Sequence, residues 1–186
     1  NLEGSSTVKQ RIKLLEICKQ IYFVSSWVED KFFESIEKNY YSNFKTIYPS
    51  INKINSFPKK ENLIVFSGKL NAAKGFDKFC VAMNKILNKY KNWKAMAIGD
   101  EPRENIRINH KNFIYTGWIQ HEKVLKIYNK SSITVVPSSW EEPFGRSSLE
   151  AGSRGNVVII SRKGGLPETI GSPIILEKIT SKCIFD

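Results

Sequence analysis

Leu63-Ile64-Val65-Phe66-Ser67-Gly68-Lys69-Leu70-Asn71-Ala72-Ala73-Lys74-Gly75, LIVFSGKLNAAKG, decides the fold. Leu63 to Phe66 are apolar without alternation, the pattern of a strand buried on both faces. A loop bearing glycine and lysine follows. Phe76, Phe79, Met83, Ile86 and Tyr90 then mark a helix with one apolar face. Strand, loop and helix together form the first half of a parallel crossover unit, and the rhythm repeats downstream. Lys94 to Ile98 reads as a strand closed by Gly99-Asp100-Glu101-Pro102, and Phe113 to Tyr115 as one closed by Thr116-Gly117. A short helix from His121 to Tyr128 leads to a strand from Ile133 to Val136. Ser147 to Ser153 is helical, and Val157 to Ile160 is a strand ending in the turn Lys163-Gly164-Gly165-Leu166-Pro167-Glu168. Such alternation predicts an α/β fold, a doubly wound, mostly parallel sheet with helices on both faces. Ligands of such sheets bind beyond the carboxyl ends of the strands, which singles out Gly68, Gly99, Gly117 and the segment Pro137 to Gly145.

Upstream, KQRIKLLEICKQ has helical spacing, with Ile12, Leu15, Ile17 and Cys18 on one side. Ile21 to Val24 is a short buried strand, and Ser25-Ser26 offers an N-cap for a helix through Phe32, Phe33 and Ile36. Thr46 to Ser50 reads as a strand ended by Pro49. Residues 52–61, NKINSFPKKE, are polar and broken by Pro58, so they read as a linker. The expected domains are residues 1–55 and 56–186.

The 186 residues, 41% apolar and 25% charged, suffice for a packed core. A net charge of +11 fits anionic partners, whether nucleic acid, a membrane surface or phosphorylated ligands; a solvated lysine face reads equally well from Lys85, Lys89, Lys91 and Lys94. Cys18, Cys80 and Cys183 are far apart and form no C-x-x-C pair. Cys18 and Cys80 read as small core residues, which favours a reducing compartment. Two histidines without a cysteine partner do not make a zinc site. No apolar run has the length of a membrane span and no secretory leader is visible. Asn1 in first position suggests a fragment or a processed chain.

Three loops can carry chemistry. In GKLNAAKG, Gly68 permits a sharp turn or a close approach, while Lys69 and Lys74 flank a helix start, a setting suited to a diphosphate. The loop is neither a Walker loop nor a G-x-G-x-x-G fingerprint, and a plain turn with two solvated lysines accounts for it too. In EEPFGRSSLEA (Glu141 to Ala151), Pro143 keeps Glu142 in a loop, and Phe144-Gly145 leads into a helix whose first amides have no internal partner. Arg146 adds a guanidinium fork, and Glu150 lies one helical turn further on, able to accept from two neighbouring hydroxyls of a ribose. A capped surface helix is the simpler alternative. Thr116-Gly117-Trp118-Ile119 can set an aromatic or a backbone edge against a base, or place Trp118 in the core. Gly99-Asp100-Glu101-Pro102 reads most simply as a tight turn.

Taken in order, strand-GKL-x-x-x-KG-helix, GDEP, YTGW, VVPSSWEEPFGRSSLEA and RKGGLPE resemble the nucleotide-sugar-binding domain of retaining glycosyltransferases of the GT-B fold. More narrowly, they are similar to the bacterial hexosyltransferases that build lipopolysaccharide and other glycans. The resemblance runs over residues 62–175, and Glu142 and Glu150 match the family's two glutamates separated by seven residues. It implies that 56–186 is the Rossmann-like C-terminal half of such an enzyme, truncated at its C-terminus, and that 1–55 closes the N-terminal, acceptor-side domain. By the same resemblance, Glu142 and Lys74 are the catalytic residues. The donor-binding set is Gly68, Lys69, Lys74, Gly117, Trp118, Phe144, Gly145, Arg146 and Glu150. Lys69 stands where the family usually has arginine, and Glu101 where its turn more often has glycine.

The implied reaction moves a hexose, with retention, from a nucleotide-diphosphate sugar to a glycan or lipid-linked acceptor through an oxocarbenium-like state. Lys69, Lys74 and the helix amides would stabilise the leaving diphosphate. The sequence carries no D-x-D motif, so neither a metal nor another cofactor is expected. The expected setting is cytoplasmic, with peripheral contact to an anionic membrane. An epimerase-like enzyme of the same architecture and a basic nucleic-acid-binding module are the alternatives. Dispersed lysines and aromatics in apolar periods count against nucleic acid.

Overall fold

The computed structural model describes residues 7–52, 54, 56–101 and 103–186. The chain divides into two compact units, Asn1–Pro49 and Ser50–Asp186.

In the first unit, helix α1 (Val8–Ile17) begins at Thr7 in a capping box with Gln10. Strand β1 (Ile21–Phe23) leads to α2 (Ser26–Phe33), capped as expected by Ser25, whose hydroxyl accepts from Val28 N at 3.1 Å. β1 pairs in parallel with β2 (Phe44–Thr46). The strand expected at 46–50 therefore lies earlier. β1 offers only three residues before the α2 cap begins, so the ladder ends at the bond from Ile47 N to Phe23 O, and Pro49 cannot extend it. Phe23, Phe33 and Leu15 form the small core, with the Phe33 and Phe44 rings 4.6 Å apart. Cys18 is half-buried rather than a core residue, because the chain turns extended there at the C-cap of α1.

The second unit runs β3 (Glu61–Ser67), α3 (Phe76–Lys89), β4 (Lys94–Ile98), β5 (Phe113–Tyr115), α4 (His121–Lys130), β6 (Ser131–Val136), α5 (Arg146–Gly152), β7 (Val157–Ser161), β8 (Ile174–Leu176) and α6 (Ser181–Phe185). The strands form one parallel sheet in the order β5-β4-β3-β6-β7-β8. The chain winds outward from β3 through β4 to β5, crosses back to the other side of β3 as β6, and winds outward again. That reversal makes the carboxyl ends of β3 and β6 the switch point, where a crevice opens. Alternate β3 residues serve the two faces: Ile64 and Phe66 pack with α3 and α6, Leu63 and Val65 with α4 and α5. The sequence reading did not anticipate β8 and α6. An edge strand of three residues and a helix of five are too short for a periodic signal.

Candidate active site

A cavity of about 290 Å³ opens at the switch point. Phe66, Ser67 and Gly68 line it from the end of β3, Val135, Val136 and Ser138 from the end of β6, and Lys74, Glu142, Gly145, Arg146 and Ser147 from the two loops. A second cavity of about 330 Å³, between α3, α6 and the sheet, is lined mainly by apolar side chains such as Ile64, Met83 and Trp93. The charged groups and glycines gather at the first.

Lys74 is held from two sides. It ends a 3-10 turn, Ala72–Lys74, capped by Asn71, whose Oδ1 accepts from Lys74 N at 3.0 Å. Asn71 Nδ2 donates to Glu101 Oε2 at 3.1 Å, and Ala72 N donates to Glu104 Oε2 at 2.9 Å. Glu101 is buried and clasped by Arg103 through Nε–Oε1 at 2.7 Å and Nη2–Oε2 at 2.8 Å, and that contact lowers its pKa to about 2. Glu101, expected in a simple turn, thus anchors the lysine loop. From the other side, Ala73 O accepts from Ser139 N and Trp140 N at 2.9 and 3.0 Å. Gly75, at φ +74°, lets the two loops touch backbone to backbone, since a Cβ there would stand 2.0 Å from Pro137 O.

These contacts bring together residues 68 positions apart: Lys74 Nζ lies 2.6 Å from Glu142 Oε1, with 13% of the Glu142 side chain exposed. A third loop clamps the glutamate. Gly165 N donates to Glu142 O at 2.7 Å, while Gly164 N and Lys163 Nζ donate to the Glu141 carboxylate at 2.6 and 2.8 Å. Gly164 sits at φ +58°, and a Cβ there would stand 2.1 Å from Glu142 O.

Glu150, on α5, is buried, and two groups converge on its Oε1: Arg146 Nη2 at 3.2 Å and His121 Nε2 at 3.0 Å. Sequence reasoning missed His121. The available signal was one of only two histidines, at a helix start just behind the TGW loop. Tyr128 is fully buried, and burial foremost, with the charge of Glu150 adding to it, pushes its hydroxyl pKa upward. Among the described residues, Lys69, Gly117, Trp118, Phe144 and Glu150 stand outside the lining of the cavity. Lys69 is exposed at its mouth loop, and Gly117, at φ +66°, accepts through its carbonyl from Gly99 N at 2.9 Å. Phe144 is buried. Trp118 is 73% exposed, which removes the alternative that placed it in the core. No group of three or more histidine, cysteine, aspartate or glutamate side chains is arranged to hold a metal among the described residues.

The sequence profile of the glycosyl transferases group 1 family matches residues 48–174. The chain belongs to this family. It is 32% identical over 117 residues, 59% of its length and 30% of the relative's, to the uncharacterized glycosyltransferase MJ1607 of Methanocaldococcus jannaschii. It is 30% identical over 157 residues, 78% of its length and 39% of the relative's, to the uncharacterized 42.6 kDa protein in the cps region of Klebsiella pneumoniae. The group 1 chain thus spans about a third of the length of these curated relatives. Its fold is that of Anabaena Alr3699/HepE, solved in complex with UDP and glucose: TM-score 0.73 at 14% identity, covering 100% of this chain and 57% of that one.

Proposed function

We propose that the cavity between β3 and β6 binds a nucleotide-diphosphate sugar, and that the protein transfers the sugar, with retention, to a glycan or lipid-linked acceptor. The observation that carries this reading is the Lys74–Glu142 pair, at 2.6 Å, inside a cavity that Arg146 also lines. An ammonium has three donors, so Lys74 can keep Glu142 and still bond a phosphate oxygen. Arg146 offers a fork that matches phosphate geometry. As the sugar–phosphate bond breaks, the departing diphosphate gains negative charge, and these cations stabilise it in a site already organised for it. Glu142 faces the positive charge that develops on the sugar. Glu150 accepts from the ribose hydroxyls, and Lys69 adds charge at the mouth. The diphosphate is met by side-chain cations rather than a metal, since the sequence carries no D-x-D motif.

The UDP and glucose bound to HepE make UDP-glucose the first donor to try, and the relative from the cps region supports a polysaccharide or its lipid-linked precursor as acceptor. We read residues 1–55 as the closing part of an acceptor-side domain. The alignment of the whole chain with 57% of HepE supports this. The membrane contact we propose is peripheral and made through the +11 charge; no helix among the described residues is long and apolar enough to cross a membrane.

Calorimetric titration with UDP, GDP, ADP and their sugar conjugates tests the reading. Saturable binding to one of them, weakened by Lys74→Ala and by Glu150→Ala, is the expected result. A folded chain that binds none of them, by itself and within the full-length protein, refutes it.

A further inference from the structure

We infer that His121 is a positioning residue for the donor: its Nε2–H holds Glu150 so that one carboxylate oxygen faces the ribose diol. The inference rests on the donor-binding reading above. Arg146 Nη2 donates to Oε1 of Glu150 at 3.2 Å and His121 Nε2 lies 3.0 Å from the same oxygen, within hydrogen-bond reach, which leaves Oε2 to accept from a ligand. The two partners differ in what else they do. Arg146 lines the cavity, its side chain is 72% exposed, and it shares α5 with Glu150, four residues away. A diphosphate in the cavity draws that guanidinium toward itself. His121 opens α4, a separate element, and is absent from the cavity lining among the described residues. When Arg146 turns to the phosphate, His121 remains on Oε1 and fixes the Glu150 rotamer from outside α5. Arg154 restrains the same residue only through its main chain, with Nη1 donating to Glu150 O at 3.3 Å.

A carboxylate with one oxygen held accepts from a diol in one orientation, so the ribose 2′-hydroxyl becomes a specificity element. A carboxylate free to rotate loses that discrimination and keeps its charge. The role of His121 is therefore read in sugar preference, not in overall affinity alone.

The test titrates UDP, GDP and ADP against their 2′-deoxy counterparts, using wild type, His121→Ala and His121→Gln, each checked by circular dichroism for folding. His121 is exposed, so truncation removes little packing, and the Gln amide reproduces a neutral donor near Nε2. We expect wild type to prefer the ribonucleotide, His121→Ala to reduce that preference by about tenfold, and His121→Gln to keep most of it. A His121→Ala chain with undiminished preference, or a His121→Gln chain that behaves like His121→Ala, overturns the assignment. Wild type that binds ribo- and deoxyribonucleotide equally overturns it too and leaves the donor reading standing. Wild type that binds none of the six removes the donor reading and this assignment with it.

Discussion

Lys74→Ala and Glu142→Gln are expected to move nucleoside diphosphate affinity in opposite directions, although the two side chains form one ion pair. Nζ and Oε1 are 2.6 Å apart, and the side chains are 30% and 13% exposed. On the proposed donor-binding reading, removing the lysine deletes a cation for the diphosphate and leaves a largely buried carboxylate, 13% exposed, in the cavity that the anion would enter. Truncating one member of a buried charge pair costs about 2–5 kcal/mol; screening at Lys74 favours the lower half, about 2–3 kcal/mol, or about 30- to 150-fold weaker binding. Glu142→Gln instead removes a like charge that, for a phosphate oxygen bonded to Lys74 Nζ, would lie on the order of 5 Å away. At an effective dielectric constant between that of water and about 20, this is worth about 1 kcal/mol or somewhat more, so binding tightens by about fivefold. If Glu142 faces the developing positive charge as proposed, transfer by the full-length protein should nonetheless fall by about 100-fold or more. Calorimetry with UDP reads the first two effects and a radiolabelled-sugar assay the third. If Glu142→Gln weakens UDP binding as much as Lys74→Ala does, the pair is a structural staple between two loops, and the electrostatic reasoning fails.

Three further outcomes follow from the geometry. Gly164→Ala forces a Cβ to within 2.1 Å of Glu142 O at a left-handed φ, so the Tm should drop by about 5–10 °C, whereas Gly171→Ala, with nothing within 4 Å, should leave it unchanged. The Glu101 carboxyl, lowered from 4.5 to about 2 chiefly by Arg103, contributes stability that is fully present above pH 4.5 and lost as pH falls through about 2. Urea midpoints taken from pH 6 down to 2 should show this decline, and Glu101→Gln should flatten it. Burial pushes the Cys80 thiol up to about 12, so a thiol reagent at pH 8 should modify Cys80 only after denaturation, with Cys18 and Cys183 reacting first; early labelling of Cys80 in the folded chain, read by mass spectrometry, contradicts the burial.

Much of the fold could be read because its signals are local. The apolar run Leu63 to Phe66, the helical period from Phe76 onward and the Ser25 cap each depend on neighbours within a few residues, and each recurs in the structure. The misplaced strand at 46–50 and the unforeseen β8 are cases where a partner strand, not local propensity, sets where pairing begins and ends. Within the site, Lys74, Glu142 and Gly145 were legible as loop residues beyond strand ends, and Arg146 as the start of the helix that follows. Glu101 and His121 were not. A carboxylate in a turn looks solvated until Arg103 and Asn71 are seen to enclose it, and a histidine at a helix start looks like surface until α5 is packed beside it.

Local pattern along the chain is enough to show that strands and helices alternate, that the sheet is parallel and buried on both faces, and that the glycine- and lysine-bearing loops fall at the carboxyl ends of strands. Tertiary structure alone decided the strand order, and with it which two loops meet. β6 lies against β3 rather than β5, so Lys74 reaches Glu142 across 68 residues and His121 reaches Glu150 across a helix pair. The physical reason is range. Propensity and apolar period act over one or two turns of chain, whereas the cavity exists only where the winding of the sheet reverses, and that reversal is settled by packing among segments far apart in sequence.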